Sequence, residues 1–291
     1  MKRALVLLVA LLVVAGVVAW NTEPPRLLSW ADRIAGGGRG VRLVADDVPF
    51  GTTGQTLDIW APDAPAAGPR PVLIWFYGGG WVHGDRRAYD FAARAFARAG
   101  FVVVVPDYRK VPQVRFPAFV QDGAAAVHWV RDHVARYGGD PGRVALSGHS
   151  AGAYIVAMLA LDRRWLRAEG VDPAIVRAGV PMCGPYDFYP FTGRAVEAMR
   201  GVREPAMTQP IQFARADAPP LMLISAGEDV QVRARNAINL TARLRSLGAP
   251  VIHRDYPGLS HENVAMALSV PFRGKAPVLA DSIAFLRQHL R

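Results

Sequence analysis

The sequence holds a single cysteine, Cys183, among 291 residues. One thiol excludes an intrachain disulfide and a cysteine-rich metal site. Its setting, Val180-Pro181-Met182-Cys183-Gly184, is that of a small buried hydrophobe. Lysine is scarce as well, so the net charge of +10 and the pI near 10.3 come almost wholly from arginine, scattered rather than gathered in runs. No stretch joins a basic run to interleaved aromatics, which argues against nucleic acid as a partner. A basic surface suited to anionic lipid headgroups stays open. Beyond residue 42 the chain has no internal repeat and no long low-complexity segment. What is present is core-forming material: 51% of residues are hydrophobic and 20% charged, the composition of a packed protein rather than a disordered tail. The length fits one large α/β domain or two small ones.

The N-terminus carries Lys2 and Arg3 and then an unbroken apolar run from Ala4 to Trp20, about the minimum for a helix that spans a bilayer. Positive charges stay cytoplasmic, which puts everything after Trp20 on the far side of the membrane. Two fates fit residues 1–20: an uncleaved signal anchor, or a signal peptide cut after Val17-Val18-Ala19. The expectation is an extracytoplasmic (periplasmic) protein, membrane-anchored or secreted. Residues 21–42, with Pro24-Pro25 and Gly36-Gly37-Gly38, read as a linker holding one short helical piece around Leu27 to Ile34.

From residue 43 to 291 a single domain is expected, because strand and helix patterns alternate. Thr56 to Trp60 alternates like a half-buried edge strand, while Pro71 to Tyr77 and Phe101 to Val105 are continuous apolar runs suited to a parallel sheet buried on both faces. Between them, Ala88 to Ala99 is helical and closes on Gly100. The cycle continues with helices at Pro117–Tyr137, Ala151–Leu161, Asn236–Leu247 and Val278–His289, and strands at Arg143–Ser147, Val176–Cys183, Leu221–Ser225 and Val251–Tyr256. Such alternation predicts a mostly parallel central sheet with helices on both faces and functional residues in loops at the carboxyl ends of strands.

Two motifs meet that test. Gly148-His149-Ser150-Ala151-Gly152 follows a buried strand and opens a helix. Glycines two before and two after the serine let strand and helix approach at a sharp turn that exposes the hydroxyl. The bare pattern arises by chance often enough to be weak; its placement makes it informative. His149 is expected to point away from the serine. Tyr77-Gly78-Gly79-Gly80-Trp81, also directly after a buried strand, offers backbone amides unobstructed by side chains. Gly79 and Gly80, joined by the N–H of Ala151, are the predicted donors to an oxyanion.

These motifs make the chain resemble the carboxylesterase and lipase branch of the α/β-hydrolases, in particular bacterial feruloyl-esterase-type and hormone-sensitive-lipase-like enzymes. The resemblance runs through Leu57-Asp58-Ile59-Trp60 and Pro106-Asp107-Tyr108-Arg109 and covers the chain from about Val41 onward. Tyr77 stands where the family usually has a histidine that braces the glycine loop; a tyrosine hydroxyl can brace it too. Asp107 and Arg109 are expected to hold that loop rather than to react. The resemblance implies an α/β-hydrolase fold with little or no cap domain and a triad in the order nucleophile, acid, base. Asp229 is the expected acid, because Asp229-Val230-Gln231-Val232 matches the family's Asp-x-x-Val; Glu228 is the alternative. Of seven histidines, His261 follows the last strand and its turn, where the fold delivers its base.

The implied chemistry is hydrolysis of small-molecule carboxylic esters through an acyl-enzyme on Ser150, with no metal or organic cofactor. The modest insertion Gly184–Pro220, carrying Tyr186, Phe188, Tyr189 and Phe191, suggests an open site for a small or medium ester. The same triad serves amidases, arylformamidases and peptidases. A non-catalytic, membrane-tethered binding module is the rival from another class, and the intact Ser-Asp-His set speaks against it.

Overall fold

The computed structural model describes residues 24–291. The apolar run Ala4–Trp20, read above as anchor or signal, lies outside the described residues. Among the described residues no helix is long and apolar enough to cross a membrane.

From Pro24 onward, the stretch expected to be a linker is instead a docked part of the domain. Helix α1 (Pro24–Asp32) packs on the segment that precedes helix α2 (Asp90–Arg98), and Ser29 Oγ donates to the carbonyl of Ala88. Its last residue, Asp32, accepts Arg94 Nε and Nη2 at 3.0 and 2.9 Å, with both side chains at most 2% exposed. The other oxygen of Asp32 accepts the N–H of Val270 at 2.8 Å. Removing one partner of such a buried pair costs roughly 3–5 kcal/mol, since the other charge is stranded. That tertiary anchor, invisible to local periodicity, is why a proline-flanked nonapeptide holds a helix.

Strands β1 (Val41–Phe50) and β2 (Gln55–Pro62) form an antiparallel hairpin, and β2 pairs antiparallel with β4 (Val102–Pro106). From there the sheet is parallel: β3 (Arg70–Phe76) lies between β4 and β5 (Gly139–His149), followed by β6 (Val176–Met182), β7 (Leu221–Ala226) and β8 (Val251–Tyr256). The order across the eight strands is β1-β2-β4-β3-β5-β6-β7-β8. The expected mostly parallel sheet is therefore present, with an antiparallel edge.

Helices α3 (Ala118–His133), α4 (Ala151–Leu161), α5 (Arg163–Ala168), α6 (Arg194–Ala198) and α7 (Arg235–Ser246) fill the crossovers, and α8 (His261–Met266) and α9 (Val278–His289) follow the last strand. Every residue of α4 is buried, as expected for a helix that is apolar all round. The register fixes the site. Phe76 on β3 pairs with Gly148 on β5, so the glycine loop and the serine turn leave the sheet side by side. Ala226 pairs with Tyr256, so the loops carrying Asp229 and His261 leave β7 and β8 at that same end.

Candidate active site

Ser150 occupies the predicted strand-to-helix turn with φ 55° and ψ −118°, a left-handed backbone that a serine adopts only under tertiary constraint. Its N–H donates to the carbonyl of Met182 at 2.9 Å, which pins the turn to β6. The flanking glycines are required by contact. A methyl group on Gly148 would lie 2.5 Å from the carbonyl oxygen of Phe76, and one on Gly152 would lie 2.6 Å from that of Tyr77.

The glycine loop folds back over this turn. Gly79 (φ 136°) and Gly80 (φ 63°) take backbone conformations that disfavour side chains, and the carbonyl of Gly79 accepts the N–H groups of Val82 and His83. A methyl on Gly78 would sit 3.3 Å from Ser150 Cβ, which measures how closely loop and turn approach. Among the described residues, no backbone acceptor takes the N–H of Gly79, Gly80 or Ala151. Those three amides are the ones that sequence reasoning selected.

Tyr77 braces the loop from below. Its hydroxyl donates to Asp107 at 2.8 Å and accepts Lys110 Nζ at 2.9 Å, while its ring stacks on Tyr108 at 4.6 Å. Burial, then Tyr108 and Asp107, push its phenol well above the usual range, so it remains a donor. Asp107 also binds the backbone N–H and guanidinium of Arg86, whose Nε meets Asp58 at 2.8 Å. The bracing role expected of Asp107 is therefore seen. Arg109 differs: it pairs with Asp122 on α3 at 2.8 Å and holds that helix rather than the loop.

On the opposite side, His261 Nδ1 and Asp229 Oδ2 are 2.6 Å apart, both buried. Asp229 Oδ1 accepts the N–H groups of Gln231 at 2.9 Å and Val232 at 2.7 Å, which orients the carboxylate. Burial acts to raise the pKa of Asp229, but the hydrogen bond and charge of His261 and the two amides outweigh it, and the net shift is downward. Glu228, the alternative acid, is exposed. Of the other histidines, His83 closes the glycine loop with its N–H on the Gly79 carbonyl, His128 and His133 lie on α3, His289 ends α9, and His253 lies on β8 beside Ser225.

His149 does more than sequence reasoning assigned. Its ring packs 4.6 Å from that of His261, and Nε2 lies 2.8 Å from the His261 carbonyl oxygen. The serine turn thus grips the backbone of His261. Burial first, then the charge of His261, push the pKa of His149 down to about 3, so it is a neutral donor. Cys183 completes this layer. It is buried with φ 51°, and burial followed by the Asp229 carboxylate holds its thiol well above the usual range. Ligating atoms of His149, Cys183 and His261 lie within 4.8 Å of one another. A metal there would compete with the bonds from His149 to His261 and from His261 to Asp229, so the cluster suits packing of the Asp229–His261 pair.

The aromatics of the insertion divide. Tyr186 is core, with its N–H on Asn236 Oδ1, whereas Phe188 and Phe191 pack together at 5.6 Å and extend a wall through Trp81 to Tyr154. Tyr189 stands 57% exposed at the edge of that wall.

The family model for BD-FAE matches residues 57–244, which runs from β2 through the serine turn and Asp229 into α7. The chain belongs to the BD-FAE family. Two esterases of Mycobacterium tuberculosis are among its relatives. LipQ is 30% identical over 87% of this chain and 65% of its own length, and LipC is 32% identical over 71% and 56%. The chain thus spans less than two thirds of either relative. Solved structures with the same fold include a thermostable carboxylesterase cloned from a metagenomic library, with TM-score 0.73 and 21% identity, covering 92% of this chain and 98% of that one. Another is a truncated carbohydrate esterase from gut microbiota, with TM-score 0.72 and 20% identity, covering 86% and 95%. At these identities the likeness concerns the fold, and it agrees with the α/β-hydrolase architecture of this BD-FAE chain.

Proposed function

We propose that the protein is a serine esterase that cleaves carboxylic esters through an acyl-enzyme on Ser150, with Asp229 and His261 as acid and base. One observation carries the reading: the 2.6 Å hydrogen bond between buried Asp229 and His261, at the sheet end where the Ser150 turn and the glycine loop meet. Asp229 fixes the tautomer with the proton on Nδ1, which leaves Nε2 of His261 as the base.

His261 takes the proton of Ser150 Oγ as the Oγ–carbon bond forms at the ester carbonyl. The amides of Gly79, Gly80 and Ala151 receive the oxyanion; a single donor of this kind is worth about 2.7–4 kcal/mol. Collapse breaks the bond to the alcohol oxygen, which leaves with the proton held by His261. Water then gives a proton to His261 and adds to the acyl group; the carboxylic acid departs and Ser150 recovers its proton. The esterase names of the M. tuberculosis relatives support the same reaction class.

The reading extends to location. Lys2 and Arg3 before the apolar run Ala4–Trp20 support a domain outside the cytoplasm, tethered by that run or released from it. The mass of the mature N-terminus distinguishes the two.

The test is hydrolysis of a panel of 4-nitrophenyl esters and the matching anilides. Wild type is expected to turn over esters, and Ser150→Ala and His261→Ala to lose about 10³-fold or more, as members of a triad do. Ester turnover that survives Ser150→Ala, or turnover of anilides alone, contradicts the reading.

A further inference from the structure

Helix α6 stands in the insertion between β6 and β7, and its first residue leans on the glycine loop. A methyl group on Gly80 would lie 2.6 Å from Cδ of Arg194, 3.4 Å from its Cβ and 3.4 Å from its Nη1. The stem of Arg194 therefore fills the space a side chain at position 80 would need. Its guanidinium stands beside a loop whose amides face the reacting carbonyl.

The other cations nearby are neutralised or engaged. Glu197, the carboxylate of α6, is taken by Arg115 and by Arg200. Arg86 is held by Asp47, Asp58 and Asp107, and Lys110 donates to Tyr77 and to the carbonyl of Tyr108. Among the described residues, the Arg194 guanidinium has no hydrogen bond and no ion pair. Other exposed arginines, among them Arg167, Arg203 and Arg235, also lack a partner, so what sets Arg194 apart is its place against Gly80. Arg194 is an exposed, uncompensated cation whose stem lies against Gly80 at the edge of the oxyanion loop, with the apolar rings of Phe188 and Phe191 in the same insertion.

A guanidinium presents a planar fork of donors that matches a carboxylate and takes two hydrogen bonds at once. Resting on the ester-hydrolase reading, we propose that Arg194 selects the substrate: the enzyme favours esters that carry a carboxylate or similar anion a few bonds from the scissile carbonyl, as a monoester of a dicarboxylic acid does. The net charge of +10 assists the encounter with such anions. Gly80 is then glycine for two reasons, its positive φ and the seat it gives to the Arg194 stem.

The test compares 4-nitrophenyl butyrate with the 4-nitrophenyl monoester of succinic acid, near equals in length that differ in charge. Rates are counted per site titrated with a fluorophosphonate, so that a misfolded fraction drops out. The expected result for Arg194→Gln is a fall of about tenfold in the ratio of kcat/KM for anionic over neutral ester. That lies between the effect of an exposed ion pair and that of a charged hydrogen bond. Arg194→Glu lowers the ratio further and Arg194→Lys retains part of it. In wild type the ratio declines as KCl is raised, and in Arg194→Gln it declines less. A ratio unchanged by substitution at 194, with butyrate still cleaved by a Ser150-dependent route, overturns this inference alone. Failure of wild type to cleave either ester overturns it together with the esterase reading.

Discussion

Gly152→Ala puts the packing argument at risk most sharply, because Gly152 touches no substrate. Its methyl would lie 2.6 Å from the carbonyl oxygen of Tyr77 and 2.5 Å from the carbonyl carbon of Phe76. Both neighbours are backbone at the end of β3, which is paired with β4 on one side and β5 on the other. No rotamer change relieves the clash. Carbon–carbon contact is comfortable only near ~3.5 Å, so helix and strand must part by roughly an ångström. Gly79 and Gly80 follow that strand end directly and move with it. Misplacing a catalytic geometry by about 1 Å costs on the order of 10²-fold in rate.

The effect on stability is smaller. Overpacking costs about 1–3 kcal/mol, and alanine in a helix returns roughly 0.5–1 kcal/mol. At about 2–4 °C per kcal/mol for a larger domain, Tm should fall by only a few degrees. The assays are kcat/KM on a 4-nitrophenyl ester and calorimetric unfolding, with Gly274→Ala as control because nothing lies within 4 Å of its Cβ position. Activity of Gly152→Ala within about threefold of wild type, at unchanged Tm, would refute the reasoning; the rate comparison follows.

The remaining predictions concern titration. His149, held near pKa 3 by burial, stays neutral when folded but is protonated below about pH 6.5 when unfolded, so its stability contribution is present above that pH and is lost as pH falls towards 3. His149→Asn should therefore flatten the decline of Tm between pH 7 and 4. It should also lower kcat without moving the apparent pKa of the pH–rate profile; a moved pKa would mean that His149 is the titrating base. Asp90 has the opposite sign: burial, partly offset by Arg94, raises it to about 7, so folding is disfavoured progressively as pH rises from 4 to 7. Asp90→Asn should raise Tm at pH 8 and leave it nearly unchanged at pH 4.5, and equal shifts at both would contradict the assignment.

The legible parts of the fold were those buried throughout or at a regular helical period. Val102–Pro106 is buried at every position, and its apolar run announced a parallel strand; Val278–His289 matches its helical pattern residue for residue. The strand Val41–Phe50 escaped notice. It is an edge strand, buried at its two ends alone and partly exposed between, with register shifts around Ala45 that break its alternation. The helical piece read around Leu27 to Ile34 is the observed helix Pro24–Asp32, but its docking on the domain escaped because its anchor, Arg94, lies 62 residues away.

The site divides in the same way. Ser150, Gly79, Gly80 and Ala151 sit in contiguous motifs with a local mechanical reason for every glycine. Asp229 and His261 came from chain order together with the Asp-x-x-Val match of the resemblance, and the structure brings that pair into contact. The grip of His149 on the His261 carbonyl spans 112 residues, and the seat of Arg194 on Gly80 joins the insertion to a loop after β3. Neither has a sequence signal, because both depend on how close two folded segments come.

The most direct measurement is labelling of the intact protein with a fluorophosphonate, followed by mass spectrometry of the proteolytic fragments. The account predicts one adduct on the fragment containing Gly148-His149-Ser150-Ala151-Gly152, abolished in Ser150→Ala and slowed strongly in His261→Ala. Absence of an adduct on wild type, or an adduct that persists in Ser150→Ala, would contradict it.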